Sequence, residues 1–182
     1  MHTVISNKNN ISDEKINEKK FKVRAILKDD NGNLMISNYG GVFLFPGGSI
    51  EDDEDIYAAI QRELKEETGV EYTIEDLYEL IKYEQYQANY PKRDGTTINR
   101  KVTTYYFYGQ SKGINYKNLH LTKEEIKDNF YSLFIDQEEL MSIIEHARSI
   151  NPRSDYFNEE IQSVLNEYNK VIKSQSKTKD YE

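Results

Sequence analysis

One helix-length segment constrains this chain more than any other. From Asp55 to Thr68 the sequence DIYAAIQRELKEET carries apolar residues at helical spacing, and Gly69 follows as the usual left-handed terminator. On a wheel advancing about 100° per residue, Ile56, Ala59, Ile60, Glu66 and Glu67 fall within about 60° of Glu63, and Lys65, Gln61 and Tyr57 lie on the far side. The inward stripe therefore turns from apolar to anionic halfway along the helix, with Leu64 beside the glutamates. Carboxylates at i, i+3 and i+4 repel one another. A solvated acidic helix is one reading of this pattern. The other is a divalent cation such as Mg2+ or Mn2+, which binds carboxylate oxygens and offsets their repulsion. Just upstream, Asp52, Asp53 and Asp55 put negative charge at the positive end of the helix dipole and are expected to face solvent.

Composition narrows the function classes. The 182 residues suit one globular domain with extensions. The formal net charge is −8 and lysines are scattered among glutamates, so no basic face for nucleic acid is expected. An anionic ligand would instead be handled locally, for example through a bound cation. The chain has no cysteine, which excludes disulfides, thiolate zinc sites and cysteine nucleophiles. No apolar run approaches the length of a membrane span and no signal peptide is recognisable, so a cytoplasmic protein with no membrane partner is expected. Fifteen tyrosines and seven phenylalanines must supply much of the bulk in core or binding surface.

Residues 1–20 are polar and read as a flexible N-terminal arm; residues 174–182 read as a frayed tail. Between them, residues 21–173 form the expected single domain. Phe21, Val23, Ala25 and Leu27 alternate as in a half-buried strand, and DDNGN supplies a hairpin turn before LMISNY. GGVFLFPGG is a short apolar strand between glycine pairs. LYELIKYEQYQA reads as a strand, NYPKRDGTTINR as a loop, and KVTTYYFYGQ and DNFYSLFID as further strands. Two helices close the chain, the second with Phe157, Ile161, Val164, Leu165 and Tyr168 at helical intervals. The order implies an α+β fold with a mixed central sheet flanked by helices.

The residues around the acidic helix complete a specific spacing. Gly48 is followed by five residues, Glu54, seven residues, and then Arg62-Glu63-Leu64-Lys65-Glu66-Glu67-Thr68-Gly69-Val70. This resembles the Nudix box of the Nudix hydrolases, G-x5-E-x7-R-E-U-x-E-E-x-G-U with U aliphatic, and matches it at every specified position; Pro46-Gly47 fits the common entry to that box. The resemblance implies an α/β/α sandwich and a Mg2+-dependent pyrophosphohydrolase, with Mn2+ as the alternative ion. Its substrate would be a small-molecule nucleoside diphosphate derivative, cut within the diphosphate: ADP-ribose, a diadenosine polyphosphate, a nucleotide sugar or a modified nucleoside triphosphate. By similarity, Glu63, Glu66, Glu67 and the Gly47 carbonyl are the expected metal ligands, with Glu63 alternatively acting on the attacking water. Glu54 and Arg62 resemble the orienting pair, an arginine fork fixing a carboxylate.

Other positions carry weaker signals. Arg24 could meet a phosphate or be a surface charge. Tyr86, sixteen residues beyond Val70, stands where some diadenosine polyphosphate hydrolases of the family carry a tyrosine, and Tyr83 and Tyr90 flank it. Glu124 and Glu125 lie where some relatives carry an extra catalytic glutamate, and an ordinary helix start explains them equally. His120 and His146 are expected to be structural or exposed. The last helix could form a homodimer interface or dock on its own sheet. The alternative function is a Nudix-like module that senses a nucleotide or ADP-ribose without turnover. An isopentenyl-diphosphate isomerase ranks last, because that relative relies on a cysteine.

Overall fold

The computed structural model describes residues 1–92, 94–150 and 154–179. Its strands are β1 (His2–Ser6), β2 (Glu18–Lys28), β3 (Leu34–Tyr39), β4 (Val42–Leu44), β5 (Leu77–Pro91), β6 (Thr97–Gln110) and β7 (Tyr131–Ile135). The helices are α1 (Ile56–Thr68), α2 (Lys123–Lys127), α3 (Gln137–Ile150) and α4 (Ser154–Lys179). The strands form one mixed sheet in the order β1-β5-β6-β2-β3-β4, with β7 paired to β3. β2 runs parallel to β6 from Glu18↔Arg100 to Lys28↔Gln110, and β5 is antiparallel to β6.

Two apolar clusters lie on opposite faces of this sheet. Val23, Ala25 and Leu27 of β2 pack with Ala59, Ile60 and Leu64 of α1. Ile26 turns the other way, into a cluster with Tyr83, Tyr106, Ile144, Ile161, Val164 and Tyr168 under α3 and α4. The result is an α+β sandwich. Because both faces are covered, Val23 to Leu27 are all buried, where alternation alone suggested a half-buried strand. Phe21, by contrast, precedes the covered stretch and is 49% exposed.

Several boundaries differ from the sequence expectation. The polar arm is not loose: His2 to Ser6 pair in parallel with Ile81 to Gln85, and the Asn7 side chain clasps the backbone of buried Ile11 at 2.9 Å on both sides. β1 is an edge strand held to β5 by ladder hydrogen bonds, and Val4 packs one side of it against the core. The loop expected over 89–100 shrinks to a connection between Pro91 and Thr97, with the Lys92 N–H donating to the Thr96 carbonyl at 2.8 Å. α4 continues through Lys179, so residues 174–179 of the expected tail are helical, and 180–182 lie outside the described residues. The α4 stripe of Ile161, Val164, Leu165 and Tyr168 is buried on the chain's own sheet. No described helix is long and apolar enough to cross a membrane.

Candidate active site

The chain between β4 and α1 is pressed against β2. The Ala25 N–H donates to Pro46 O and the Val23 N–H to Gly48 O, both at 3.0 Å. Gly47 sits at φ +132°, and a Cβ there would lie 2.2 Å from the Val23 carbonyl. At Gly48 a Cβ would lie 2.4 Å from Glu63 Oε2. Glycine is thus required twice, once by the backbone and once by a carboxylate lying flat against it.

α1 begins at an Asp55 cap, whose carboxylate accepts the N–H groups of Tyr57 and Ala58, and ends at Gly69 in the left-handed region. Asp55 is therefore exposed, as expected, but it also performs a structural task. Ala59, Ile60, Glu63, Leu64 and Glu67 form the buried stripe, while Glu66 stays half-exposed. The apolar-to-anionic stripe read from the sequence is what the helix buries.

Arg62 links the box together. Its Nε and Nη2 donate to Glu54 Oε1 and Oε2 at 2.9 Å each, Nη2 also donates to Ser49 O at 2.9 Å, and Nη1 donates to Glu63 Oε1 at 2.8 Å. Glu66 Oε2 is 3.4 Å from the same Nη1. The hydrogen bonds from Arg62 hold the Glu54 carboxyl below its ordinary range. Burial raises Glu63, partly offset by Arg62. Glu67 is deeper still: burial pushes it up to about 8, although the Gly47 N–H donates to its Oε2 at 2.8 Å. The Tyr39 hydroxyl is 2.6 Å from Glu67 Oε1 and 3.0 Å from Gly47 O, and its single proton serves one of them at a time.

These residues face a cleft of about 610 Å³, within the range of small-molecule sites. Arg24 lines it, but it is buried and Nη1 donates to Phe45 O at 2.5 Å and Gly47 O at 3.1 Å. Its first role is to hold the glycine turn, and it is not the surface charge that was one expectation. Tyr86 is not in the cleft lining. It points to the other side of β5, where its hydroxyl donates to Asp13 at 2.8 Å and Lys101 lies over its ring. A β-bulge between Gln87 and Tyr90 brings Tyr90 to the cleft instead, a shift of register that spacing along the sequence does not reveal.

The loop after β6 is hung on the end of α1, with the Asn115 N–H donating to Thr68 O at 2.7 Å and the His120 N–H to Glu66 O at 2.9 Å. This brings His120, Glu124 and Glu125 to the cleft. Glu125 also completes a capping box with Thr122 at the start of α2. Sequence reasoning gave His120 no partner, passed over Lys22, Tyr39 and Arg100, and read Phe157 only as part of the apolar stripe of the last helix; the latter four residues are also in the lining. Only the period-two relation of Lys22 to Arg24 on one strand could have pointed to the first.

Among the described residues no three carboxylates or imidazoles converge into a cation cluster. Arg62 lies on Glu63 and Glu66, and Glu67 is engaged by Tyr39 and the Gly47 N–H. The donor set is nevertheless entirely oxygen: three carboxylates on one helix, with the Gly47 carbonyl within reach of the same tyrosine hydroxyl as Glu67. That chemistry fits a hard divalent cation.

A family model described as the NUDIX domain matches residues 19–157. An 8-oxo-dGTP diphosphatase from Proteus vulgaris is 37% identical over 65 residues, covering 32% of this chain and 58% of that protein. The chain thus matches somewhat over half the length of this curated relative. Among solved structures, a C. elegans Ap4A hydrolase binary complex superposes with a TM-score of 0.52 at 15% identity, over 85% of this chain and 98% of that one. A MutT protein from Methanosarcina mazei Go1 gives a TM-score of 0.46 at 17% identity, over 72% and 85%. At 15% identity the likeness to the Ap4A hydrolase speaks for the fold alone.

Proposed function

The chain belongs to the Nudix hydrolase family, and on that premise we propose that it is a divalent-cation-dependent pyrophosphohydrolase that cleaves the diphosphate of a nucleoside diphosphate derivative. The observation that carries this reading is the anionic half of the α1 stripe, Glu63 and Glu67 buried against the Gly47-Gly48 turn with Glu66 beside them. Burying carboxylates is costly unless they are paired, hydrogen-bonded or bound to a cation, and such a costly cluster facing a cleft points to function. The name of the curated relative, an 8-oxo-dGTP diphosphatase, favours nucleotides with a phosphoanhydride as the substrate class.

Glu63, Glu66, Glu67 and the Gly47 carbonyl would hold the cation, Mg2+ or Mn2+. When bound there, the cation supplies charge neutralisation on the phosphate oxygens. The chain's own groups do the rest. Arg62 fixes Glu54 and Glu63 in single orientations through its fork. Gly48 leaves room for the Glu63 carboxylate against the backbone. Glu63 Oε1 accepts from Arg62, and burial raises the carboxyl above its ordinary value. In the alternative arrangement, with the cation on Glu66, Glu67 and the Gly47 carbonyl, we assign proton acceptance from the attacking water to Glu63 Oε2. Tyr39 and Arg24 hold the Gly47 carbonyl in place until it is needed.

The test is a panel of ADP-ribose, diadenosine polyphosphates, nucleotide sugars and oxidised nucleoside triphosphates, with Mg2+ and with Mn2+, products identified by chromatography. Wild type should cleave at least one, and Glu66→Gln and Glu67→Gln should each lose about 100- to 1,000-fold in kcat/KM. A wild-type protein that cleaves nothing on the panel with either ion sinks the hydrolase reading, and tight binding without turnover would favour a sensing module.

A further inference from the structure

β2 crosses the cleft with Lys22 and Arg24 on one face, because Val23, Ala25 and Leu27 on the other pack under α1. Backbone pairing fixes where Lys22 lies. It faces Ser49 in an isolated antiparallel bridge, and the Val23 N–H donates to Gly48 O, so Lys22 runs alongside the glycine turn. Arg100, on neighbouring β6, lines the same cleft.

The three cations differ in what holds them. Arg24 is tied to the Phe45 and Gly47 carbonyls. Arg100 Nε donates to Gln87 Oε1 at 2.5 Å, and its guanidinium carbon stands 3.3 Å from the Tyr90 ring centroid. The half-buried Lys22 ammonium makes no hydrogen bond or ion pair among the described residues. Burial, and then the Arg24 and Arg100 charges against the weaker opposing pull of Glu160 and Glu63, push it down to about 8. A partly desolvated ammonium beside two guanidinium groups gains from an anion, and none among the described residues is in contact with it.

We propose that Lys22 is a substrate-binding residue, whose ammonium takes non-bridging phosphate oxygens of the substrate's diphosphate in the same cleft as the α1 carboxylates. The inference rests on the pyrophosphohydrolase reading and deepens it. It explains how a chain of net charge −8 accepts an anionic ligand: Glu63, Glu66 and Glu67 would hold a cation that neutralises phosphate charge, and Lys22 adds a positive charge of the chain's own. It also explains why a costly group persists at this position. Three donors on a flexible stem suit phosphate oxygens, where a second tethered guanidinium would be fixed in one direction.

The experiment compares wild type with Lys22→Met and Lys22→Arg by titration calorimetry with inorganic pyrophosphate in Mg2+, by thermal melting, and by steady-state kinetics on whichever panel substrate is cleaved. Lys22→Met should weaken pyrophosphate binding and raise KM by about 10- to 100-fold, while Lys22→Arg recovers part of the affinity. The melting temperature of Lys22→Met should equal or exceed that of wild type, because the substitution removes an unpaired charge. Unchanged pyrophosphate affinity in Lys22→Met overturns the proposal, as does a wild type that does not bind pyrophosphate, or a large fall in melting temperature that marks Lys22 as structural. If Lys22→Met loses pyrophosphate binding but no panel substrate is cleaved, the anion site stands and the hydrolase reading falls. If hydrolysis proceeds with an unchanged KM, the hydrolase reading stands and the lysine site falls.

Discussion

Arg62 reaches four residues at once, Ser49, Glu54, Glu63 and Glu66, and so couples the loop before α1 to the carboxylates on it. A planar fork can do this, and the point charge of a lysine cannot. Arg62→Lys should therefore keep the fold and lower kcat/KM by about 10- to 100-fold, the usual effect of removing a group that orients a site. Kinetics alongside circular dichroism check it: full activity would mean that Glu54 and Glu63 hold their orientation unaided. The roles of Glu54, Arg62 and the three glutamates were implied by the resemblance to the Nudix box, and helix geometry by itself made legible only the anionic stripe of Glu63, Glu66 and Glu67. Arg24 and Tyr86 were harder to read. Whether Arg24 meets carbonyls or phosphate depends on the Phe45-Pro46-Gly47 chain twenty residues away, and the side Tyr86 faces is set by the pairing of β5.

At the scale of elements, the two ends of α1 do different work. Asp55 caps the first turn and is not among the residues that line the cleft. Gly69 ends the last turn at φ +69°, and a Cβ there would stand 2.1 Å from the Asn115 carbonyl, on the loop that carries His120 into the cleft. Asp55→Ala should cost about 1 kcal/mol of stability with kcat/KM unchanged. Gly69→Ala should cost more than that and reduce kcat/KM too, because both the left-handed conformation and the docked loop are lost. Denaturant unfolding and kinetics on the two variants separate these effects; equal kinetic losses would deny the loop a part in the site. The limits of α1 were legible because cap, stripe and terminating glycine agree. β1 and the extended β5–β6 pair were not, since their stabilisation lies in backbone bonds to distant strands, and polar residues such as His2, Asn89 and Thr97 carry no apolar signal of it.

The stability of the whole molecule is linked to its site through Glu67. Its folded value, raised by burial to about 8, lies above the ordinary 4.5. Between those two values the folded chain keeps a proton that the unfolded chain has released, so the folded state is favoured at the acid end and loses that advantage as pH rises. Burial raises Glu63 as well, so it acts in the same direction. In EDTA, wild type should therefore lose melting temperature from about pH 5 to pH 8, and Glu67→Gln, neutral throughout, should lose less. Titrating groups away from Glu67 contribute alike to both proteins, whereas Glu63, whose charge helps to raise Glu67, is coupled to it and adds to the difference. Adding Mg2+ should flatten the wild-type profile, since a cation on the ionised carboxylates stabilises the form that high pH populates. Thermal melts across this range, with and without Mg2+, decide the matter. Parallel profiles for the two proteins in EDTA would mean that Glu67 is ionised in the folded chain. An unchanged profile on adding Mg2+ would mean that the buried carboxylates serve no cation.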